Sequence, residues 1–501
     1  MKRLILPCLF LWAAGLAYPA ESINLPIKIF NLENGLQVIL APRHETPVVH
    51  SLVRYKVGSA NETTGLTGIS HMLEHMMFKG TKELQTVSYE QEVPIMEKQD
   101  DLFQEVLRLR TLKAQGLAPE DVDTQIEFML LKIKGLNLTQ KIVTVQNDVD
   151  VATFQVGFSR LNADTSFDRT HYFEMFPANC LEAWAYFESS RMKEPVFREF
   201  HSERDVVLEE RRQTNETQPA EILQERFLAA AFAAHPYHWG VIGWRSDIEN
   251  YTRQDIINYH RLYYAPNNAI IVLVGDFQLA TAQNMIRKYF GKIDRQPIAK
   301  PFAVTQEPVQ KGEVRIAVRG QASPRLIIGY HRPGANHPDY PAIEMLDALL
   351  ARGRNCLFYK ELIKSGLAID FQTGQWEMKR YPGLYTVTAS AAEGVDLSKL
   401  ETAILAVLQR LKDQPVTTRA LEEARSNLTG SLLRQLRDGE SLAVILAEGL
   451  DLFNNALAFN DYLDRIERLD AADLQRVAKE WFTPDNQTVA WLLPPEEEKS
   501  K

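Results

Sequence analysis

Residues 248–274 read IENYTRQDIINYHRLYYAPNNAIIVLV, and 218 positions later residues 466–492 read IERLDAADLQRVAKEWFTPDNQTVAWL, aligned without a gap. Identities fall at Ile248/Ile466, Glu249/Glu467, Asp255/Asp473, Pro266/Pro484 and Asn268/Asn486. Both windows have one plan: Thr252 or Asp470 as helix N-cap, an amphipathic helix, an aromatic pair (Tyr263-Tyr264 or Trp481-Phe482), a proline turn and a β-rich strand. A period this long is far beyond a solenoid repeat, so the chain is predicted to be two similar domains in tandem. The proline-spaced segment 296–308, with Pro297, Pro301 and Pro308, has the composition of a linker. It divides an N-terminal domain, 22–295, from a C-terminal one, 309–495.

Composition fits that picture. The chain has 501 residues, 45% apolar and 24% charged, with 25 glycines and 24 prolines, which excludes disorder, collagen and a multispan membrane protein. Its formal charge of -9 argues against nucleic acid as a partner. Residues 1–17 have the grammar of a secretory signal: Lys2 and Arg3, an apolar run over 4–16, then small residues, with Ala17 or alternatively Ala20 as the cleavage position. The apolar run is too short to span a bilayer comfortably, so a periplasmic or secreted protein without a transmembrane span is expected. Cys8 leaves with the leader. Cys180 and Cys356 have no CxxC partner, which favours free thiols over a disulfide framework.

Strand-like runs at 36–40 and 270–274 alternate with helical patterns. Residues 89–144 fit neither repeat. They are charged and helical, broken at Gly116-Leu117-Ala118-Pro119, and are predicted to be a helical hairpin inserted in the first domain, with Pro119 opening its second helix.

The chemistry is carried by His71-Met72-Leu73-Glu74-His75, an H-x-x-E-H pattern. Composition yields about 0.03 chance matches over the whole chain. On a helix the three polar side chains share one narrow wedge, so two imidazoles one turn apart can reach one metal ion with a carboxylate beside them. Ile69, Met72 and Met76 supply the apolar face, and Gly80 is the expected stop. Catalytic zinc takes three protein ligands, so a third donor is required. Glu203 and Glu210, two helical turns apart, are the best candidates, one as a ligand and the other holding a histidine.

HMLEHMMFKGT at 71–81, NADTSFDRTHYF at 162–173, ERDVVLEERR at 203–212 and GVIGWRSDIE at 240–249 together resemble the pitrilysin/insulin-degrading zinc metallopeptidases. The half-size bacterial members, similar to mitochondrial processing peptidase, are nearest. The resemblance covers about 32–493 and is specific in the first half. It implies an α+β fold: two tandem domains, each a largely antiparallel sheet with helices packed on it, the second without its own metal site. It implies one zinc ion held by His71, His75 and Glu210, Glu74 as general base, Glu203 behind the ligands, and Asn162, Ala163, Asp164 and Thr165 on an edge strand that holds an extended peptide. The longer spacing between His75 and Glu210 matches the size of the predicted hairpin.

One departure bears on partners. Family members often carry an Arg and a Tyr in a sequence like ELREKGLAY, where residues 361–369 here read ELIKSGLAI, with Ile363 and Ile369 at the two positions. Neither donates a hydrogen bond. The resemblance thus implies the metal-bearing subunit of a heterodimer whose homologous partner supplies that pair. The alternatives are a non-catalytic structural or binding member of the same fold, or a zinc store.

Overall fold

The computed structural model describes residues 22–145, 148–296, 304–374 and 376–495. The expected signal at 1–17, with Cys8, lies outside the described residues, as does the middle of the expected linker.

Two sheets form, one per half. The first has the order β1-β2-β6-β3-β5-β4, from β1 (Lys28–Asn31), β2 (Gln37–Pro42), β3 (Val48–Tyr55), β4 (Ser159–Thr165), β5 (Thr170–Pro177) and β6 (Ala269–Gly275). The second runs β7-β11-β8-β10-β9, from β7 (Val314–Arg319), β8 (Arg325–Arg332), β9 (Ala368–Gly374), β10 (Gly383–Ala391) and β11 (Gln487–Leu493). Each sheet is antiparallel apart from one parallel pair, β2 with β6 and β7 with β11. The strand ending each sequence repeat, β6 or β11, is the parallel partner in both cases. Two tandem α+β domains are therefore present, as the repeat predicts.

Helices of the first half are α1 (Ile69–Met76), α2 (Tyr89–Ala114), α3 (Val122–Val143), α4 (Asp148–Gln155), α5 (Leu181–Lys193), α6 (Phe200–Arg211), α7 (Pro219–Ala231), α8 (Arg245–Ile248), α9 (Arg253–Tyr263) and α10 (Leu279–Phe290). The second half contributes α11 (Tyr340–Ala351), α12 (Leu397–Asp413), α13 (Thr418–Gln435), α14 (Gly439–Phe453), α15 (Ala458–Arg468) and α16 (Ala471–Trp481). The repeated N-caps form as read: Thr252 accepts from the Asp255 N–H and Asp470 from the N–H groups of Ala472 and Asp473, each in a capping box.

The halves are interlocked by two exchanged helices. β6 is buried along its whole length because both faces of the first sheet are covered. One face meets helices of its own half through Ile271, Leu273, Ile256 and Ile286. The other meets α14 from the second half, whose Leu442, Leu446 and Leu450 pack on Ile39, Leu52, Ile270 and Val272. Reciprocally, α7 from the first half lays Phe227 and Leu228 on Ile327, Ala490 and Leu492 of the second sheet. Gly329 of β8 permits that approach, since a Cβ there would sit 2.4 Å from the Phe227 ring. Each such buried side chain contributes about 1.5–3 kcal/mol.

Buried charges reinforce the junction. Arg54 of β3 pairs with Asp451 of α14 at 2.8 Å, and Asp451 also takes Arg380 at 2.7 Å. Asp168, in the β4–β5 turn, accepts the backbone N–H groups of Lys379 and Arg380 at 3.0 Å each. Among the described residues no single helix is long and apolar enough to cross a membrane. The apolar character of α14 is that of a helix buried between sheet and neighbours.

The inserted hairpin is α2 and α3, joined through Phe103, Val106 and Ile133. Two details differ from the sequence reading. The second helix begins at Val122, so Pro119 sits in the turn and accepts from the Val122 N–H at 3.1 Å. α1 ends at Met76, and Gly80 instead turns the chain beyond it, at φ +75° with a would-be Cβ 2.6 Å from the Leu84 carbonyl oxygen. Cys180 and Cys356 are free thiols, as expected.

Candidate metal centre

The N-terminus of α1 is fixed by partners that periodicity does not reveal. The backbone N–H groups of Gly68 and Ser70 donate to the two oxygens of Glu62 at 2.8 and 2.9 Å, so a buried carboxylate caps the helix. Burial pushes the Glu62 carboxyl up to about 7 despite those bonds. Thr67 donates its hydroxyl to Asp247 at 2.7 Å and accepts the Trp244 N–H at 2.9 Å. Gly68 and Gly243 approach so closely that a Cβ on either would lie 2.2 Å from a carbonyl oxygen across the contact, and both have positive φ. The segment GVIGWRSDIE therefore serves to seat α1. The sequence signal for this cap is an acid just ahead of a glycine-started helix, a pattern that the H-x-x-E-H spacing does not include.

With Ile69, Met72, Leu73 and Met76 fully buried, α1 turns His71, Glu74 and His75 outward on one side. The imidazole centroids lie 4.7 Å apart. α6 approaches with its own pair of acids. Glu210 places one carboxylate oxygen 3.8 Å from His71 Nε2 and the other 3.6 Å from His75 Nε2. One donor atom from each of the three residues falls within 4.8 Å of the others, the one such cluster among the described residues. Tetrahedral zinc with bonds of roughly 2.0–2.2 Å sets donors about 3.3–3.6 Å apart, so this set fits the ion with small side-chain adjustment.

Glu203, two turns before Glu210, bonds His75 Nδ1 at 2.8 Å, and Lys79 reaches Glu203 at 2.6 Å. Desolvation opposes ionisation of Glu203, but the bond from His75 and the Lys79 charge outweigh it and hold its carboxyl down at about 2. For His75 desolvation is likewise the largest influence and is overcome, here by Glu203, so its pKa lies above the ordinary value. His71 is more deeply enclosed. Desolvation, aided by the neighbouring His75, pulls it down to about 3 and keeps it neutral. A neutral imidazole is the metal-binding form.

Glu74 accepts a 2.6 Å hydrogen bond from the Thr165 hydroxyl, and burial raises its pKa. Thr165 ends β4, the outer strand of its sheet. Asn162 and Ala163 precede it on that edge, with the Asn162 side chain accepting from the Ala163 N–H at 2.9 Å. Asp164 turns to Arg169 and to His171, 3.4 Å away, and is held down at about 2: burial opposes its ionisation and these two partners override it. A cavity of about 490 Å³ opens beside the cluster, lined by Glu74, His75, Asn162 and Glu203 together with Lys141 and Val145 at the base of the hairpin. Ile363 and Ile369 belong to neither cluster nor cavity. Ile363 packs against the second core, and Ile369 on the edge strand β9 is 61% exposed.

Interlocked α/β halves, with a cluster of two histidines and a glutamate found, among the described residues, on one of them only, define a class of zinc-peptidase-like proteins, and the chain belongs to the M16 peptidase family of insulinase/pitrilysin type. Family models match at residues 37–100, described as "Insulinase (Peptidase family M16)", and at 250–428, described as "Peptidase M16 inactive domain". A relative named "Zinc protease PqqE" from Helicobacter pylori is 30% identical over 508 aligned residues, covering 99% of both chains. "Probable mitochondrial-processing peptidase subunit beta, mitochondrial" from Arabidopsis thaliana is 21% identical over 91% of this chain and 76% of its own. Among solved structures, a protease from Helicobacter pylori superposes with a TM-score of 0.78 at 28% identity, covering 94% of this chain and all of that one.

Proposed function

We propose that this chain is a zinc-dependent endopeptidase that hydrolyses peptides or unfolded protein segments, with the ion held by His71, His75 and Glu210. The observation that carries the reading is the convergence of those three donors within 4.8 Å, from two helices, beside a carboxylate that is not needed as a ligand.

Zinc bound there would supply Lewis acidity, polarising a carbonyl oxygen and bringing the pKa of a water down to about 7. The chain's own residues do the rest. Glu74 takes a proton from the attacking water and returns it to the departing amine. Its raised pKa brings it nearer a working pH, where a general base is most effective. The Thr165 hydroxyl fixes one Glu74 oxygen and leaves the other for proton transfer. Glu203 accepts Nδ1–H of His75 and so presents Nε2 to the ion, while Lys79 balances its charge. Asn162, Ala163, Asp164 and Thr165 offer the free edge of β4 to an extended substrate, which pairs as an added strand.

The protein works in the periplasm or outside the cell once its leader is removed, and it is the metal-bearing subunit of a heterodimer. Two features support the second point: Ile363 and Ile369 donate no hydrogen bonds, and a relative is named as a subunit of mitochondrial processing peptidase. Equal cleavage rates for the purified chain alone and mixed with a homologous Arg/Tyr-bearing subunit would refute this pairing.

The decisive variant is Glu74→Gln. It is expected to retain one zinc per chain by elemental analysis and to lose roughly 10²- to 10⁴-fold in peptide hydrolysis. Unchanged turnover would remove Glu74 from the mechanism and with it the peptidase reading. Zinc bound without hydrolysis in any subunit mixture would point to the storage or structural alternatives.

A further inference from the structure

The inserted hairpin carries a surface that hydrolysis does not use. α3 is apolar on two opposite sides. Its inner side packs Ile126, Leu130 and Ile133 against Phe103 and Val106 of α2, and its Asn137 and Gln140 bond Gln99 and the Glu199 N–H at 2.7 and 3.3 Å. Its outer side carries Phe128, Leu131, Leu138 and Ile142, which are 55%, 65%, 64% and 79% exposed. At about 100° per residue these four lie within an arc of roughly 80°, in a file about 21 Å long. Soluble surfaces scatter such residues singly.

Charge says what the file faces. Lys132 and Lys134, both exposed, project about 80° to either side of its midline, and the Lys132 ammonium lies 4.2 Å from the Phe128 ring centroid. Exposed Glu127 stands about 60° from the midline at the Phe128 end of the file, but from there to Asp148 the sequence has three lysines and no acid, in a chain whose net charge is -9. We propose that the outer face of α3 docks on an anionic lipid bilayer. An apolar stripe bordered by lysines is how a helix lies in the interfacial plane: the side chains enter the acyl boundary while the ammonium groups reach up to anionic headgroups. A second copy of the chain is disfavoured, because a two-fold pairing would set the like-charged lysine borders against each other. Lys141 and Val145, at the end of this helix, line the cavity beside Glu74 and His75, so docking sets the mouth of the cleft close to the lipid surface.

The test uses the full chain and needs no turnover. Wild type is sedimented with vesicles of phosphatidylglycerol and phosphatidylethanolamine, and with vesicles of phosphatidylcholine alone, beside Leu138→Glu/Ile142→Glu and Lys132→Glu/Lys134→Glu. Wild type is expected to pellet with the anionic vesicles. The Leu138/Ile142 variant should lose roughly tenfold or more of that partition. The lysine variant should lose about fivefold per lysine at low salt. All three should share one thermal midpoint, since the altered side chains face outward. Equal binding to both vesicle types, or unchanged binding by the Leu138/Ile142 variant, overturns the proposal. So does a variant that keeps vesicle binding but changes the oligomeric state or raises KM for a long unfolded polypeptide, which would give the stripe to another copy or to substrate.

Discussion

The two halves put a helix at the same place, and among the described residues only one of them gathers two histidines and a glutamate there. β3 lies between β6 and β5 as β8 lies between β11 and β10, and the next α-helix along the chain is α1 or α11. α1 buries one face and turns His71, Glu74 and His75 outward. α11 reads YPAIEMLDALLA and buries most of its circumference, including Ile343, Met345, Leu346 and Leu350. Its two acids are committed inward: burial raises the pKa of both Glu344 and Asp347, and Asp347 accepts from Thr373 at 2.5 Å and Tyr385 at 3.2 Å. The fold therefore provides the position, and the side chains at that position decide whether it can hold an ion.

The comparison breaks most readily at the helices the halves exchange. Phe227→Ala on α7 is expected to cost about 3–5 kcal/mol and Leu446→Ala on α14 about 2–5 kcal/mol, since both side chains are fully buried on the other half's sheet. Urea unfolding should show one shifted transition in each variant. Separate melting of one half would mean that the interlock does not couple them. Asp451→Ala is expected to cost about 3–5 kcal/mol because it strands the buried Arg54, and the same unfolding curve measures it.

Smaller effects sharpen the contrast at the centre itself. Glu203→Ala should weaken zinc affinity and hydrolysis roughly 10- to 100-fold by freeing the His75 ring, read by metal-buffered titration and peptide cleavage. The smallest effect is one of pH in the metal-free protein. With its carboxyl held at about 2 against an ordinary 4.5, Glu203 stabilises the fold above pH 4.5, and that contribution is lost as pH falls towards 2. His75, raised above 6.5, contributes stability that is full below 6.5 and is lost as pH rises through its raised value. Protons also compete with the ion for His75, so zinc retention should decline as pH drops through that same value. Glu203→Gln should flatten both limbs of the unfolding midpoint plotted against pH. Unchanged limbs would remove the Glu203–His75 bond as their source.

Local patterns were legible wherever a residue type answers to its own neighbourhood. Thr252 and Asp470 cap their helices, the hairpin falls close to the predicted 89–144, and the H-x-x-E-H wedge forms, because each depends on spacing along one element. What escaped was long-range. Asp247 holding Thr67 and Thr165 touching Glu74 join segments far apart in the chain, and an isolated acid or hydroxyl carries no mark of such a partner; Glu62, by contrast, caps α1 from only six residues away. Pro119 lies three residues ahead of the helix that the sequence assigns it to open, because a proline suits a turn as well as a first helical turn.

The sequence by itself determined that there are two related halves, that the first carries two histidines and an acid on one helical face, and that a second acidic helix, with Glu203 and Glu210 two turns apart, is a candidate source of a third donor. Periodicity and composition suffice for that, since they follow from 3.6 residues per turn and from which side chains avoid water. Only the tertiary structure decided that Glu210 meets both imidazoles, that Glu203 takes the far side of His75, and that α7 and α14 trade sheets. Those outcomes depend on burying two sheet faces with helices distant in sequence, and burial is non-directional: it records how much apolar surface must be covered, never which partner covers it.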